Sequence, residues 1–367
     1  MLQKRVFVIL YIILLMAILN ACFPLQPAPA TTQTINTPTS FQTALPSKTT
    51  VPSITPTYTV TPTPSLYSTL SPDTYLVYST VYTESSGNLY YQIEVISLDG
   101  KYQGSFIKEN LLFERDLPKG DISPNGKFLA FTKRILPDTQ ETIVLFDLVE
   151  NRFVEFQNPE KHHDCQMANW SPDGKSIIAS CKTDLVADIY IISFENGTFH
   201  RVTNCLPIES NCQHPSWSPN DKWIVYSRNV TRPGSSEYWG PYLINTSCLD
   251  DTLACMEMQV GSFNARPPYA WSPDGMCLVS QRGDTDINDN HIRIFALENG
   301  YPVEKQDIEI KASARDISWS PDGKWIAYST FAGDIYLVSP DGKDSVFLRQ
   351  TKHAELFGWL TIPEMEK

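Results

Sequence analysis

The sequence predicts an all-β, six-bladed propeller whose ring is closed by pairing of its N- and C-terminal strands. Three observations carry that expectation. The first is a phrase that recurs five times: DISPNGKFLAF from Asp121, NWSPDGKSIIAS from Asn169, SWSPNDKWIVYS from Ser216, AWSPDGMCLVSQ from Ala270 and SWSPDGKWIAYS from Ser318. Its anchor positions, Ile122, Trp170, Trp217, Trp271 and Trp319, are spaced by about one four-stranded unit, the repeat of a propeller blade. The second is that each end of the chain holds half a copy. Residues 70–79 (LSPDTYLVYS) carry the turn and the apolar run without the Trp, and Phe357-Gly358-Trp359 carry the Trp without the hairpin. The third is the lack of long helical periodicity after residue 70.

Each element follows from local chemistry. Pro fixes φ near the value a turn needs and Gly accepts positive φ at no steric cost, so Ser-Pro-Asp-Gly followed by an apolar run reads as a hairpin. Second apolar runs, rich in β-branched and aromatic residues and too short for helices, read as third strands: Ile143 to Leu148, Ile189 to Phe194, Tyr242 to Asn245, Ile292 to Leu297 and Ile335 to Ser339. Weaker fourth strands follow at Thr198 to Thr203 and Met256 to Val260. Joining the two half-copies completes a sixth blade, with Leu356 to Leu360 beside Tyr75 to Thr80, and removes the open edges of an unclosed array.

The Trp-Ser-Pro-Asp-Gly-Lys phrase with its apolar strand resembles the TolB-type propeller repeat, which also occurs in the propeller domains of prolyl-oligopeptidase relatives. The resemblance covers residues from about 70 to 360. It implies a rigid disc whose top face and central channel do the binding. It leaves function open, because the architecture serves scaffolds, carbohydrate-active enzymes and protease gates alike.

Ahead of the disc, Lys4-Arg5 and the apolar stretch Val6 to Leu19 have the order of an export signal, and the stretch is short for a membrane span. It ends in Leu19-Asn20-Ala21-Cys22, similar to a bacterial lipobox, although Asn20 departs from the small residue usual there. Residues 1–22 are therefore expected to be a lipoprotein signal ending at a lipidated Cys22, with acyl chains holding the protein on a membrane. Residues 23–70, dominated by Thr, Pro and Ser, cannot bury enough apolar surface to order and read as an extended stalk. The propeller is assigned to 71–362 and a tail to 363–367. The formal net charge is −12, and no basic stripe with interleaved aromatics is present, so nucleic acid is not an expected partner.

The remaining cysteines fit an oxidising compartment. Cys165 and Cys181 are equidistant from Asp173, so a hairpin places them opposite each other. Cys205 and Cys212 bracket a Pro207-containing loop, and Cys248 and Cys255 flank the turn Asp250-Asp251. Cys277 is left free, packed between blades. A zinc site is the competing reading, but no Cys-x-x-Cys is present and the nearby His214 would have to be recruited from a loop.

Signals for catalysis are few. The sequence has no Gly-x-Ser-x-Gly elbow, no His-Glu-x-x-His helix and no complete phosphate loop. A prolyl-oligopeptidase activity would also need an α/β-hydrolase domain. Asp284, Asp286, Asn288 and Asp289 alternate as in a calcium loop, but the pattern lacks the Gly and the bidentate Glu of an EF-hand, and a solvated acidic turn fits it as well. No other cofactor is expected.

Positions three before each anchor, Lys119, Met167, His214, Pro268, Asp316 and Leu356, form a ring of strand-entry residues converging on one channel mouth. His214, Asp316, Lys119 and the neighbouring Arg315 are its candidate polar site, with structural lining as the plainer account. The anchor tryptophans are expected in the inter-blade core. Tyr238 and Trp239, in an irregular Gly-Pro insertion, are candidate contact residues or pack down over their blade. The chain thus reads as a lipid-anchored, extracytoplasmic binding or scaffold protein of the bacterial cell envelope, non-catalytic, with a protein or glycan partner. The alternative is a carbohydrate-active lyase or hydrolase with its site at the channel mouth.

Overall fold

A computed structural model describes residues 66, 70–71, 73–110, 117–135, 140–154, 164–183, 186–205, 211–230, 238–249, 258–259, 265–282 and 289–363. These form six four-stranded antiparallel sheets, each with its strands in ring-inward to ring-outward order. Blade 1 is built from both chain ends, β24 (Ala354–Ile362) innermost, then β1 (Asp73–Thr83), β2 (Leu89–Ser97) and β3 (Gln103–Asn110). Blade 2 is β4 (Gly120–Ile122), β5 (Phe128–Ile135), β6 (Gln140–Asp147) and β7 (Arg152–Val154). Blade 3 is β8 (Cys165–Trp170), β9 (Ser176–Thr183), β10 (Val186–Ser193) and β11 (Phe199–Arg201). Blade 4 is β12 (Cys212–Trp217), β13 (Trp223–Val230), β14 (Tyr238–Asn245) and β15 (Met258–Gln259). Blade 5 is β16 (Ala265–Trp271), β17 (Cys277–Arg282), β18 (His291–Glu298) and β19 (Tyr301–Glu309). Blade 6 is β20 (Ala314–Trp319), β21 (Ile326–Thr330), β22 (Asp334–Val338) and β23 (Ser345–Gln350).

The expected closure is present: β1 pairs with β24 from Asp73 opposite Ile362 to Thr80 opposite Ala354. The core lies between blades rather than within one. Ile177 packs toward blade 2 with Trp170 and Leu145, whereas its neighbour Ile178 packs toward blade 4 with Ile224 and Tyr226. Successive strand residues point to opposite faces, and both faces of a blade are covered. That is why the run after each turn is continuously apolar. Each such buried Ile or Leu contributes about 1.5–3 kcal/mol.

The Ser-Pro-Asp-Gly turn is held by more than its glycine. In blade 3, Ser171 Oγ donates to Asp173 Oδ1 at 2.7 Å, Asp173 Oδ1 accepts from Lys175 N at 3.0 Å, and Ser171 Oγ accepts from Ser176 N at 2.9 Å. Gly174 sits at φ +70° and donates to Ser171 O. The same bonds recur at Ser123, Ser218, Ser272 and Ser320. They also close the third-to-fourth strand turns at Ser97–Lys101 and Ser339–Lys343, so the device marks a turn and not one fixed hairpin. In blade 4 the turn carries Asp221 at φ +59° where the others have Gly, and its carboxylate takes the indole N–H of Trp217 at 2.8 Å.

All these turns lie on one side of the disc. Among the described residues, the second-to-third strand connections of blades 1 and 6, and the links from blade 5 to blade 6 and from blade 6 to β24, lie on the other. Chain entry and exit share the turn side, because Asp73 begins β1 beside Ile362 at the end of β24. Leu66 and Leu70, assigned to the stalk by composition, pack on the core of blade 1, where their apolar side chains find a surface that Thr and Ser cannot use. Gly104 makes room for this: a Cβ there would lie 2.9 Å from Leu66 Cδ1. Residues 1–65, including Cys22, lie outside the described residues, as do 364–367.

Candidate functional site

Inside the ring runs a channel of about 580 Å³, lined by the innermost strands. Five of those strands carry a bulge or register shift at the ring position: between Gln166 and Asn169, Gln213 and Ser216, Arg266 and Tyr269, Ala314 and Asp316, and in β24 opposite Val77 and Tyr78. Met167 and His214, inside two of these shifts, adopt φ +58° and +56°. A bulge bends the strand and re-aims a side chain, and here the re-aimed residues face the channel. Lys119, Met167, His214, Pro268, Arg315, Asp316 and Leu356 all line it.

The direct contacts centre on a residue the ring rule passes over, Glu355. Its carboxylate, 1% exposed, receives Lys119 Nζ at 3.3 Å and Arg315 Nε at 2.5 Å, with Arg315 Nη2 on the same oxygen. The Arg315 guanidinium also lies over the ring of Phe331, 5.8 Å from its centroid. Glu355 stands on the closing strand of blade 1, Lys119 precedes β4 of blade 2, and Arg315 is on β20 of blade 6. One buried carboxylate therefore ties the closing blade to both neighbours.

Asp316 does similar work. Its Oδ1 accepts from Ile317 N and its Oδ2 from Leu356 N, both at 2.9 Å. Burial and then the Glu355 charge raise its pKa, against the pull of Lys119 and the two amides. His214 moves the other way: burial and then the Lys119 charge lower its pKa to about 3, so its imidazole is neutral at physiological pH. Two further wall residues missed by the ring rule stand one before their anchors. Asp121 accepts from Ile122 N, Asn169 Nδ2 and Trp170 N, each at 2.8 Å, and Asn169 Oδ1 accepts from Trp217 N at 3.0 Å. Burial pushes the Asp121 carboxyl up to about 7, against the stabilising amides of Trp170 and Ile122. The available signal was Asp121 and Asn169 standing just before the anchor where the other copies have Ser or Ala.

The anchors divide between full and partial burial. Trp170 and Trp271 belong to the core between blades, while Trp217 and Trp319 pack against it. Tyr238 and Trp239, read as part of an irregular insertion, stand in β14 opposite Val230 and Asn229. The ladder of blade 4 extends further than composition indicated, because backbone pairing tolerates the Gly240-Pro241 sequence at an outer strand. Asp284, Asp286 and Asn288 lie outside the described residues. Asp289 is engaged by protein side chains, with Arg282 Nε at 3.4 Å from one oxygen and His291 Nδ1 at 3.0 Å from the other.

Two expected disulfides are formed. Cys165 and Cys181 are register partners with Cα atoms 4.0 Å apart, and Cys205 is bonded to Cys212. Cys248 is disulfide-bonded, and Cys255 lies outside the described residues. Cys277 is free and half-buried against the core between blades 5 and 6. Among the described residues, one group has ligand atoms close enough for a metal ion, Asp188 with Cys205 and Cys212. Its sulfurs are spent on the disulfide. Its carboxylate accepts from Thr203 Oγ1, Cys205 N and Arg201 Nη2, which makes it a structural staple.

Comparison with known proteins agrees with this architecture. The TolB beta propeller domain family matches residues 71–355. An uncharacterized protein of Agrobacterium fabrum is 27% identical over 223 residues, 56% of this chain and 67% of that one. Among solved structures, TolB from Acinetobacter baumannii superposes with a TM-score of 0.54 at 19% identity, over 78% of this chain and 66% of that one. A putative TolB from Agrobacterium tumefaciens gives 0.47 at 18% identity, over 71% and 99%. The chain thus spans 66% of the length of the Acinetobacter structure. Repeat, turn chemistry, ring closure and family match converge, and the chain belongs to the TolB beta propeller domain family.

Proposed function

We propose that this protein is an extracytoplasmic binding or scaffold module of the bacterial cell envelope, held on a membrane through a lipidated Cys22 and a Thr/Pro-rich stalk. Its loop side meets a protein or glycan partner. The observation that carries this reading is the polarity of the disc. Asp73 begins β1 beside Ile362 on the turn side, opposite the channel mouth with Lys119, His214, Arg315 and Asp316. The disulfides support an oxidising compartment. The binding reading is favoured over a carbohydrate-active enzyme because the oxygens of Asp316 and Glu355 already hold backbone amides and cations. A neutral, buried His214 is likewise poorly placed to take up a proton.

The test places a photo-crosslinking amino acid in cells expressing the full chain, either at Phe331 on the loop side, 61% exposed, or at Tyr301 on the turn side, 63% exposed. A discrete adduct from Phe331 and none from Tyr301 is expected. Equal labelling, or labelling from Tyr301 alone, overturns the orientation. Loss of metabolic palmitate incorporation in Cys22→Ala checks the anchor, and incorporation surviving that change excludes it.

A further inference from the structure

The channel wall contains a donor pair that the fold satisfies elsewhere with its own carboxylates. In an antiparallel ladder, hydrogen-bonded and non-hydrogen-bonded pairs alternate. Ser320 N donates to Trp325 O at 2.8 Å, so the next pair, Trp319 with Ile326, is of the other kind. The N–H of Trp319 therefore points away from β21, into the channel. The same alternation, set by Ser272 N to Cys277 O at 2.8 Å, turns the Trp271 N–H inward, and it holds for Ile122, Trp170 and Trp217.

Side chains meet three of these five amides. Asp121 bridges two of them from adjacent blades, Ile122 N through Oδ1 and Trp170 N through Oδ2, both at 2.8 Å. Asn169 Oδ1 meets Trp217 N. One level along the wall, Asp316 repeats the bridge between Ile317 N of blade 6 and Leu356 N of blade 1. A single carboxylate thus spans the inward amides of neighbouring blades with normal hydrogen-bond lengths. In blade 5 the position of Asp121 is taken by Ala270, whose methyl carries no acceptor. Among the described residues no side-chain oxygen accepts from the Trp271 or Trp319 amide, although both residues line the channel.

We propose that the wall between blades 5 and 6 is a carboxylate-binding site, in which one carboxylate of a small ligand bridges the Trp271 and Trp319 amides as Asp121 bridges those of Ile122 and Trp170. Lys119 and Arg315 line the same channel but are held by Glu355, so the two inward amides are the donors on which the site depends. The inference rests on the reading of the channel as the binding region and names the ligand chemistry for it.

The experiment uses the full chain labelled with 15N-tryptophan, whose eight residues give resolvable backbone amide signals, assigned by single Trp→Phe variants. Succinate is titrated at constant ionic strength, with chloride as the reference anion. Saturable shifts of the Trp271 and Trp319 amides are expected, with those of Trp170 and Trp217 unmoved. Ala270→Asp, which supplies the bridging carboxylate from the chain itself, is expected to weaken succinate binding by about tenfold or more. Unmoved Trp271 and Trp319 signals, shifts that chloride reproduces, or unchanged succinate binding in Ala270→Asp overturn the proposal. If Ala270→Asp does not fold, the wild-type titration decides alone. Crosslinking from Phe331 together with silent Trp271 and Trp319 amides removes the carboxylate site and leaves the binding module standing. Shifts at these amides without any crosslink do the reverse.

Discussion

The two sides of the disc are stabilised by different rules. On the turn side, one local device of Ser, Asp or Asn, and usually Gly recurs with nearly identical bond lengths in five inner hairpins and two outer ones. Each copy closes within a few residues, although in blade 4 the Asn220 amide also donates to Asp274 O and Gly275 O of the next turn. On the loop side the inner strands share a bulge, but among the described residues no side-chain device repeats from blade to blade. Stability there comes from contacts individual to each blade, from Glu355 with Lys119 and Arg315 across blades to Asp188 with Arg201 and Thr203 and the Cys165–Cys181 and Cys205–Cys212 disulfides. A repeated local rule leaves little freedom for specialisation. Long-range pairs can differ from blade to blade, which is where a recognition surface can diverge.

The contrast predicts unequal costs. Glu355→Ala should be the largest, because it removes a buried carboxylate that serves three blades and leaves Arg315 and Lys119 without it. After discounting for Lys119, 43% exposed, a loss of about 3 kcal/mol is expected in chemical denaturation, with faster hydrogen exchange along β1 and β24. A loss no larger than that of a single turn variant would erase the distinction between the sides. Ser320→Ala should come next, at about 1–2 kcal/mol, since it removes the bonds to Asp322 and Trp325 N at one turn. Its exchange effects should stay within blade 6, and spread to blades 3 or 4 would show that the turns are coupled.

A third comparison works through pH. The Asp121 carboxyl, near 7 in the fold against about 3.9 in an unfolded chain, keeps its proton between those values while the unfolded state loses it. Its contribution to stability is therefore fully present below about pH 4 and is lost as pH rises through 7. Asp121→Asn, a mimic of Asn169 in the next blade, should flatten the melting temperature between pH 4 and 7 relative to the wild type. Parallel slopes for the two proteins would show that this carboxyl is not the titrating group.

How much was legible in sequence follows the same division. Blade count, closing strand and the first two disulfides were readable because they depend on short-range grammar: Pro and Gly at turns, apolar runs, cysteines equidistant from a turn. The ring of channel residues was readable from its fixed offset to the anchor. Glu355 was not, since it stands one position further from Trp359 in a strand whose bulge shifts the count, and no single-sequence pattern shows which cations a carboxylate will meet. Trp239 was assigned to a loop because it stands in the Gly-, Pro- and Ser-containing run from Arg232 to Gly240, while the neighbouring strand Trp223–Val230 supplied the pairing that overrode it.

The late position of Ala354–Ile362 has a consequence for biosynthesis. A chain emerging from its N-terminus produces β1 early and must hold that strand's inner edge unpaired until Ala354–Ile362 has been made. Blade 1 cannot mature during synthesis, and the hydrophobic face around Leu76, Tyr78 and Leu337 stays uncovered until then. Blade 1 therefore remains pliable until that strand docks, and deleting Leu356–Ile362 would remove the step that ends that vulnerability.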